Sequence, residues 1–137
     1  MNRFIVLAIW LFAMFPAAAE NFLTWQKRMP ITFSGFPADG ETLTNFPALI
    51  IFSNTAAGVG FDYADFLSPP WYDLRFAAAD KTTPLDFEVE SWNPAGLSYV
   101  WVRIPELTNN AVIHALWRRG GVIAPPCTTN GSVWSNG

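Results

Sequence analysis

The chain has 137 residues, enough for one domain, and at 51% hydrophobic and 14% charged it is too apolar and too weakly charged to be a disordered segment. Its net charge is -3 and no run of Lys or Arg exceeds two, so it lacks the basic footprint that neutralises phosphates, and nucleic-acid binding is excluded. Aromatic residues make up 16%, with seven Trp and twelve Phe, an excess that favours pleated, half-buried surfaces or sugar-type stacking over helical bundles.

In chain order, Met1-Asn2-Arg3 forms a short positive start, Phe4 to Phe15 is an unbroken apolar run, and Pro16-Ala17-Ala18-Ala19 ends it with small residues. This pattern predicts a signal peptide over 1–19, cleaved before Glu20. A membrane anchor needs about 20 apolar residues to cross the hydrocarbon layer, and this run is shorter and ends in Pro. The chain is therefore expected outside the cytoplasm (periplasmic, cell-surface or secreted), with no stable membrane span after cleavage. Residues 20–28 read as a lead-in, 29–134 as the folded module and 135–137 as a truncated tail or linker.

In the mature chain, Gly, Pro, Asn and Ser clusters recur at short intervals between runs rich in Val, Ile, Phe, Tyr, Trp and Thr. Those are the marks of an all-β antiparallel β-sandwich, jelly-roll-like in its many short strands. The strands are expected at Ile31–Phe36, Ala48–Ser53, Tyr72–Phe76, Leu85–Trp92, Ser98–Ile104 and Ala111–Trp117, with a weaker one near Glu41–Leu43. Leu49-Ile50-Ile51-Phe52 is apolar on both faces and reads as a central strand. Asp62 to Leu67 reads as a short helical turn. In Tyr72–Phe76, Asp73 and Arg75 alternate with Tyr72, Leu74 and Phe76, the pattern of a half-buried strand.

The best-patterned pair is Leu85–Trp92 with Ser98–Ile104. Phe87 and Val89 alternate with Asp86, Glu88 and Glu90, while Val100, Val102 and Ile104 alternate with Tyr99, Trp101 and Arg103. Residues opposite one another on an antiparallel ladder share a face. Keeping the apolar sets together across an Asn93-Pro94-Ala95-Gly96 turn pairs Asp86 with Arg103, Glu88 with Trp101 and Glu90 with Tyr99. One face is then core. The other is an acidic and aromatic stripe of Glu88, Glu90, Trp92, Tyr99 and Trp101.

That stripe is the candidate ligand-binding site. Aromatic rings stack on sugar faces and carboxylates accept hydrogen bonds from hydroxyls. The bland alternative is the wet face of a half-buried sheet, or a face covered by a neighbouring domain, since alternation alone generates such stripes. Glu88 and Glu90 project from one face of one strand, whereas the two carboxylates of a glycosidase flank the scissile bond, so hydrolysis is disfavoured. Asp62, Asp65 and Asp80 match no calcium-loop spacing and read as turn-capping residues. Cys127 is the only cysteine and His114 the only histidine. The two make no convincing catalytic dyad or zinc site, and no metal or cofactor is expected.

The motifs TLTNFP (Thr42–Pro47), DLRF (Asp73–Phe76), DFEVESW (Asp86–Trp92) and VWVRIPEL (Val100–Leu107) are weak singly but specific in this order and spacing. Between Met29 and Trp117 the chain resembles the domain of unknown function numbered 2341, a bacterial extracytoplasmic module. It departs from that pattern at Lys81, where the family usually has Gly, at Phe87, where a Tyr is frequent, and at Trp117-Arg118-Arg119-Gly120, where a Y-G-N-like ending is usual. The resemblance implies exported multi-domain proteins, often followed by a laminin-G or concanavalin-like sandwich, and fusion to proton-channel-type energy-transducing subunits. It transfers no catalytic residue. It also implies that a chain ending at Asn136-Gly137 is a truncated copy. The expected function is a non-catalytic binding or assembly module, with a glycan or a neighbouring β-sandwich domain as partner. The alternative is a structural or sensory accessory domain of an energy-transducing membrane complex, and a glycoside hydrolase is the remote third.

Overall fold

The computed structural model describes residues 20–35, 40–56 and 59–135. The signal peptide expected over 1–19 lies outside the described residues, as do residues 136–137. No helix among the described residues is long and apolar enough to cross a membrane.

Among the described residues, six antiparallel strands form two three-stranded sheets: β1 (Lys27–Thr32), β2 (Leu43–Phe52), β3 (Arg75–Ala77), β4 (Phe87–Ser91), β5 (Ser98–Leu107) and β6 (Val112–Trp117). One sheet has the order β1-β6-β3 and the other β2-β5-β4. The inner faces follow from alternation: Ala48, Ile50 and Phe52 of β2, Phe87 of β4, and Val100, Val102 and Ile104 of β5 meet Phe76 of β3 and Ile113, Ala115 and Trp117 of β6 in one core. Phe61, on the loop after β2, stacks on Phe52 at 4.6 Å and meets Trp117 at 5.4 Å, while Phe76 meets Phe87 edge-on at 5.2 Å. Such aromatic pairs add about 0.5–1.5 kcal/mol each beyond the area they bury. The all-β sandwich expected from turn spacing is the observed fold.

The strands differ in extent from their expected limits. β1 begins at Lys27 rather than Ile31 and ends at Thr32, and β2 reaches back to Leu43, absorbing the weak candidate near Glu41–Leu43. Asp62–Leu67 contains a 3-10 turn at Tyr63–Asp65, capped by the Asp62 side chain on the Ala64 N–H. Leu49–Phe52 is not central. β2 is the edge of its sheet, and Leu49 and Ile51 lie exposed on the outer face at 39% and 54%. Apolar residues on both faces report what packs above and below a strand, not which strands flank it, so they do not fix its place in the sheet.

Both outer faces are partly covered by chain termini. The N-terminal segment, with a 3-10 turn at Phe22–Thr24, lays Phe22 and Trp25 on Ala77 and Leu116 outside β1-β6-β3. The C-terminal segment, with turns at Pro126–Thr128 and Ser132–Trp134, crosses beside β4 and β5. The cover over β3 changes the reading of Asp73 and Arg75. They are not on a wet face but buried, at 0% and 5% exposure. Lone buried charges would cost several kcal/mol, so each must find partners.

Candidate functional site

The predicted ladder holds where it matters most: Phe87 pairs with Val102, Glu88 with Trp101 and Val89 with Val100. Beyond Asp86 the same register continues, since Arg103 donates its N–H to the Asp86 carbonyl at 2.9 Å. The turn is built by Asn93, whose backbone oxygen accepts from Gly96 at 3.0 Å and whose side chain accepts from Ala95 at 3.1 Å.

The expected pairing of Glu90 with Tyr99 does not form. The register shifts between Val89 and Ser91, so that Ser91 faces Tyr99 and Glu90 is the extra residue of a β-bulge. One added residue reverses the alternation beyond it. Trp92, expected beside Glu88 and Glu90, therefore turns to the core side and packs edge-on against Tyr63 and Phe66, both at 5.1 Å, and against Phe61 at 6.3 Å. The Ser98 hydroxyl accepts from Asn93 N–H at 2.8 Å and from the Tyr63 hydroxyl at 2.7 Å, joining the bulged hairpin end to the loop that carries Tyr63.

Of the five candidate residues, four remain on the outer face of β2-β5-β4: Glu88, Glu90, Tyr99 and Trp101. Trp92 is removed and Trp134 takes its place. The Trp101 indole N–H donates to Glu90 at 2.6 Å, and the Trp134 indole N–H donates to Glu88 at 3.2 Å. The two rings lie 5.2 Å apart with planes inclined at 59°. Arg103 supports the segment carrying Trp134, donating to the Ser135 hydroxyl at 3.1 Å and to the Ser132 carbonyl at 3.4 Å. Each carboxylate uses one oxygen on an indole. Among the described residues its second oxygen has no partner, and both indoles keep solvent-facing surface. Chemically this is a fixed aromatic pair flanked by acceptors. Trp134 was not readable as a site residue because its contact depends on a chain crossing far away in sequence.

The three aspartates work separately. Asp62 caps a turn, Asp80 accepts from the N–H groups of Thr82 and Thr83, and Asp65 pairs with Lys27 at 3.5 Å and with Arg118. The bonds from Thr83 and Thr82 hold the Asp80 carboxyl far below its ordinary range. Cys127 is half-buried, and burial pushes its thiol pKa up. His114 lies on the outer face of β6 with Nδ1 buried and, among the described residues, without a partner.

A second polar cluster, missed in the sequence, sits under the N-terminal segment. Asp73 accepts from the N–H groups of Leu67, Ser68 and Arg119 at 2.9, 3.2 and 2.9 Å. Arg75 donates Nε to Glu20 at 2.8 Å and its remaining nitrogens to the carbonyls of Tyr72, Leu74 and Ile123. Trp25 has two guanidinium groups near its ring, Arg75 at 5.3 Å and Arg119 at 4.4 Å, and donates its indole N–H to the Asp73 carbonyl at 2.7 Å. Asp73 and Arg75 are both satisfied within the chain, and the cluster reads as a clasp rather than a site.

Residues 71–121 match the family model described as Domain of unknown function (DUF2341). The match spans β3 to β6, with the Asp73–Arg75 strand and the Glu88–Trp101 hairpin, and leaves Glu20, Trp25 and Trp134 outside it. No curated protein and no solved structure matches the chain.

Proposed function

We propose, for a chain whose residues 71–121 match the domain of unknown function 2341, a non-catalytic extracytoplasmic binding module whose ligand class is carbohydrate. The observation that carries this reading is the Trp101–Trp134 pair. Both indoles are held on an open sheet face by their own N–H bonds to Glu90 and Glu88. Rings fixed in advance lose little freedom when a ligand stacks on them, which favours weak, shape-reading contact with a flat partner. The second oxygens of Glu88 and Glu90 are acceptors suited to sugar hydroxyls. Their net negative charge disfavours phosphate-bearing and acidic ligands.

Glu88 and Glu90 act as anchors for indoles in this reading, not as acid and base. They project from one strand on one face rather than from opposite sides of a cleft. A glycan array probed with the purified chain tests the proposal. Binding to a set of neutral glycans is the expected result, and a blank array on a folded, monodisperse sample would overturn it.

A further inference from the structure

The charges of this chain are divided between its two sheets. Of eight Lys and Arg residues, six (Lys27, Arg28, Arg75, Lys81, Arg118 and Arg119) lie on β1-β6-β3 or in the turns adjoining it. Arg103 alone lies on β2-β5-β4, and Arg3 is outside the described residues. Glu41, Asp86, Glu88, Glu90 and Glu106 fall on or beside that second sheet. The acids of the first side are answered within the chain. Glu20 meets Arg75, Asp65 meets Lys27 and Arg118, Asp73 accepts from three N–H groups, and Asp80 accepts from its own turn.

Register shows what the outer face of β1-β6-β3 holds. Arg28, Leu116 and Arg75 form one row across it, and Pro30, His114 and Ala77 the next. Phe22 and Trp25 cover Leu116 and Ala77, Arg119 lies 4.4 Å from the Trp25 ring, and the charges of Arg28 and Lys81 both reach His114. Beside these cations stand the two most exposed large hydrophobic side chains among the described residues, Leu23 at 84% and Ile123 at 79%. Their segments meet on one guanidinium: Arg75 donates to Glu20, three residues before Leu23, and to the carbonyl of Ile123. A single exposed Leu is ordinary on any surface. Two open aliphatic side chains on adjoining segments, with cations around them, are a combined feature.

We propose that this face docks on an anionic lipid bilayer, with Leu23 and Ile123 entering the headgroup boundary and Arg28, Lys81 and Arg119 against the phosphates. Charge and apolarity together select that occupant. A soluble polyanion would engage the cations and leave Leu23 and Ile123 in water, and a neutral apolar partner would engage those two and leave the cations unanswered. An anionic bilayer engages both. The net charge of -3 does not oppose this. Packed sheets lie about 10 Å apart and salt screens charges over about 8 Å, so the acids of β2-β5-β4 are hidden from a surface beneath β1-β6-β3. With few cations and two aliphatic side chains, the docking is peripheral and reversible. It turns Trp101 and Trp134, on the opposite sheet, away from the lipid. The inference does not depend on what those two rings bind.

Co-sedimentation with lipid vesicles tests it. Residues 20–137 are used, because the apolar run Phe4–Phe15 would itself partition into lipid and every contact described above lies within residues 20–135. The expected result is binding to phosphatidylcholine vesicles that contain phosphatidylglycerol and little or none to pure phosphatidylcholine. Binding should fall at least about tenfold near 1 M salt, where screening acts over about 3 Å. Leu23→Ser should weaken it at least about fivefold, and Arg28→Gln and Lys81→Gln about fivefold each. All three side chains are exposed, so melting temperatures should match the parent. Trp101→Ala, on the far sheet, should bind vesicles as the parent does. Absence of binding to the anionic vesicles at low salt, or equal binding to pure phosphatidylcholine, would overturn the proposal. So would unchanged binding in Leu23→Ser, which would make the partner a soluble polyanion, or loss of binding in Trp101→Ala.

Discussion

Lys81 shows how one residue carries the cost of a left-handed backbone. It sits at φ +65 in the turn that links β3 to Pro84, with its N–H bonded to the Ala78 carbonyl at 2.9 Å. A side chain in the left-handed region costs roughly 1–2 kcal/mol, part of which Gly returns through its greater freedom in the unfolded chain. Lys81→Gly is therefore expected to raise stability by about 0.5–1 kcal/mol in urea titration. His114 should make the fold acid-sensitive. Burial, then the charges of Lys81 and Arg28, lower its pKa in the folded state. The neutral imidazole is thus favoured on folding, so this stability is complete above the ordinary value near 6.5 and is lost as pH falls through the folded pKa. Melting temperature should drop on going from neutral to mildly acidic pH, and His114→Gln should flatten that slope. An equal slope in the variant would assign the acid sensitivity elsewhere. Cys127, its thiol pKa raised by burial, should react slowly with alkylating reagents until the protein unfolds.

At the scale of elements, the β4–β5 hairpin explains both what alternation can reveal and what it cannot. Two apolar sets, Phe87 with Val89 and Val100 with Val102, had to share a face, and that demand alone placed Glu88 opposite Trp101. The bulge at Glu90 was not legible. No Gly marks it, and what holds Trp92 on the core side is Phe61, Tyr63 and Phe66, some thirty residues earlier in the chain. The same limit applies to Asp73 and Arg75. Their alternation is that of a half-wet strand, and only Glu20–Trp25 and the segment after β6 make both faces dry. Truncation separates the two kinds of tryptophan. Trp92→Ala should destabilise by about 2–4 kcal/mol, as loss of a packed aromatic does, whereas Trp101→Ala should cost about 1 kcal/mol or less. Similar losses for both would return Trp101 to the core.

For the whole molecule, the two termini complete what six strands leave open. The N-terminal clasp buries Arg75 against Glu20, so a change at residue 20 is felt across the β1-β6-β3 sheet. Glu20→Ala leaves a buried guanidinium without its counter-charge, and a loss of about 1–3 kcal/mol in thermal or chemical unfolding is expected. The C-terminal segment does the converse on the other sheet, bringing Trp134 to Trp101 and completing the aromatic pair on which the proposed binding rests. On the proposed function, the N-terminal segment serves stability and the C-terminal segment serves binding. This division is tested most directly by titrating a glycan that scores on the array into the parent chain and into Trp134→Ala, with melting temperatures recorded in parallel. The expected result is affinity weakened at least about tenfold, or roughly 1.4 kcal/mol, with little change in melting temperature. Unchanged affinity in Trp134→Ala would contradict it.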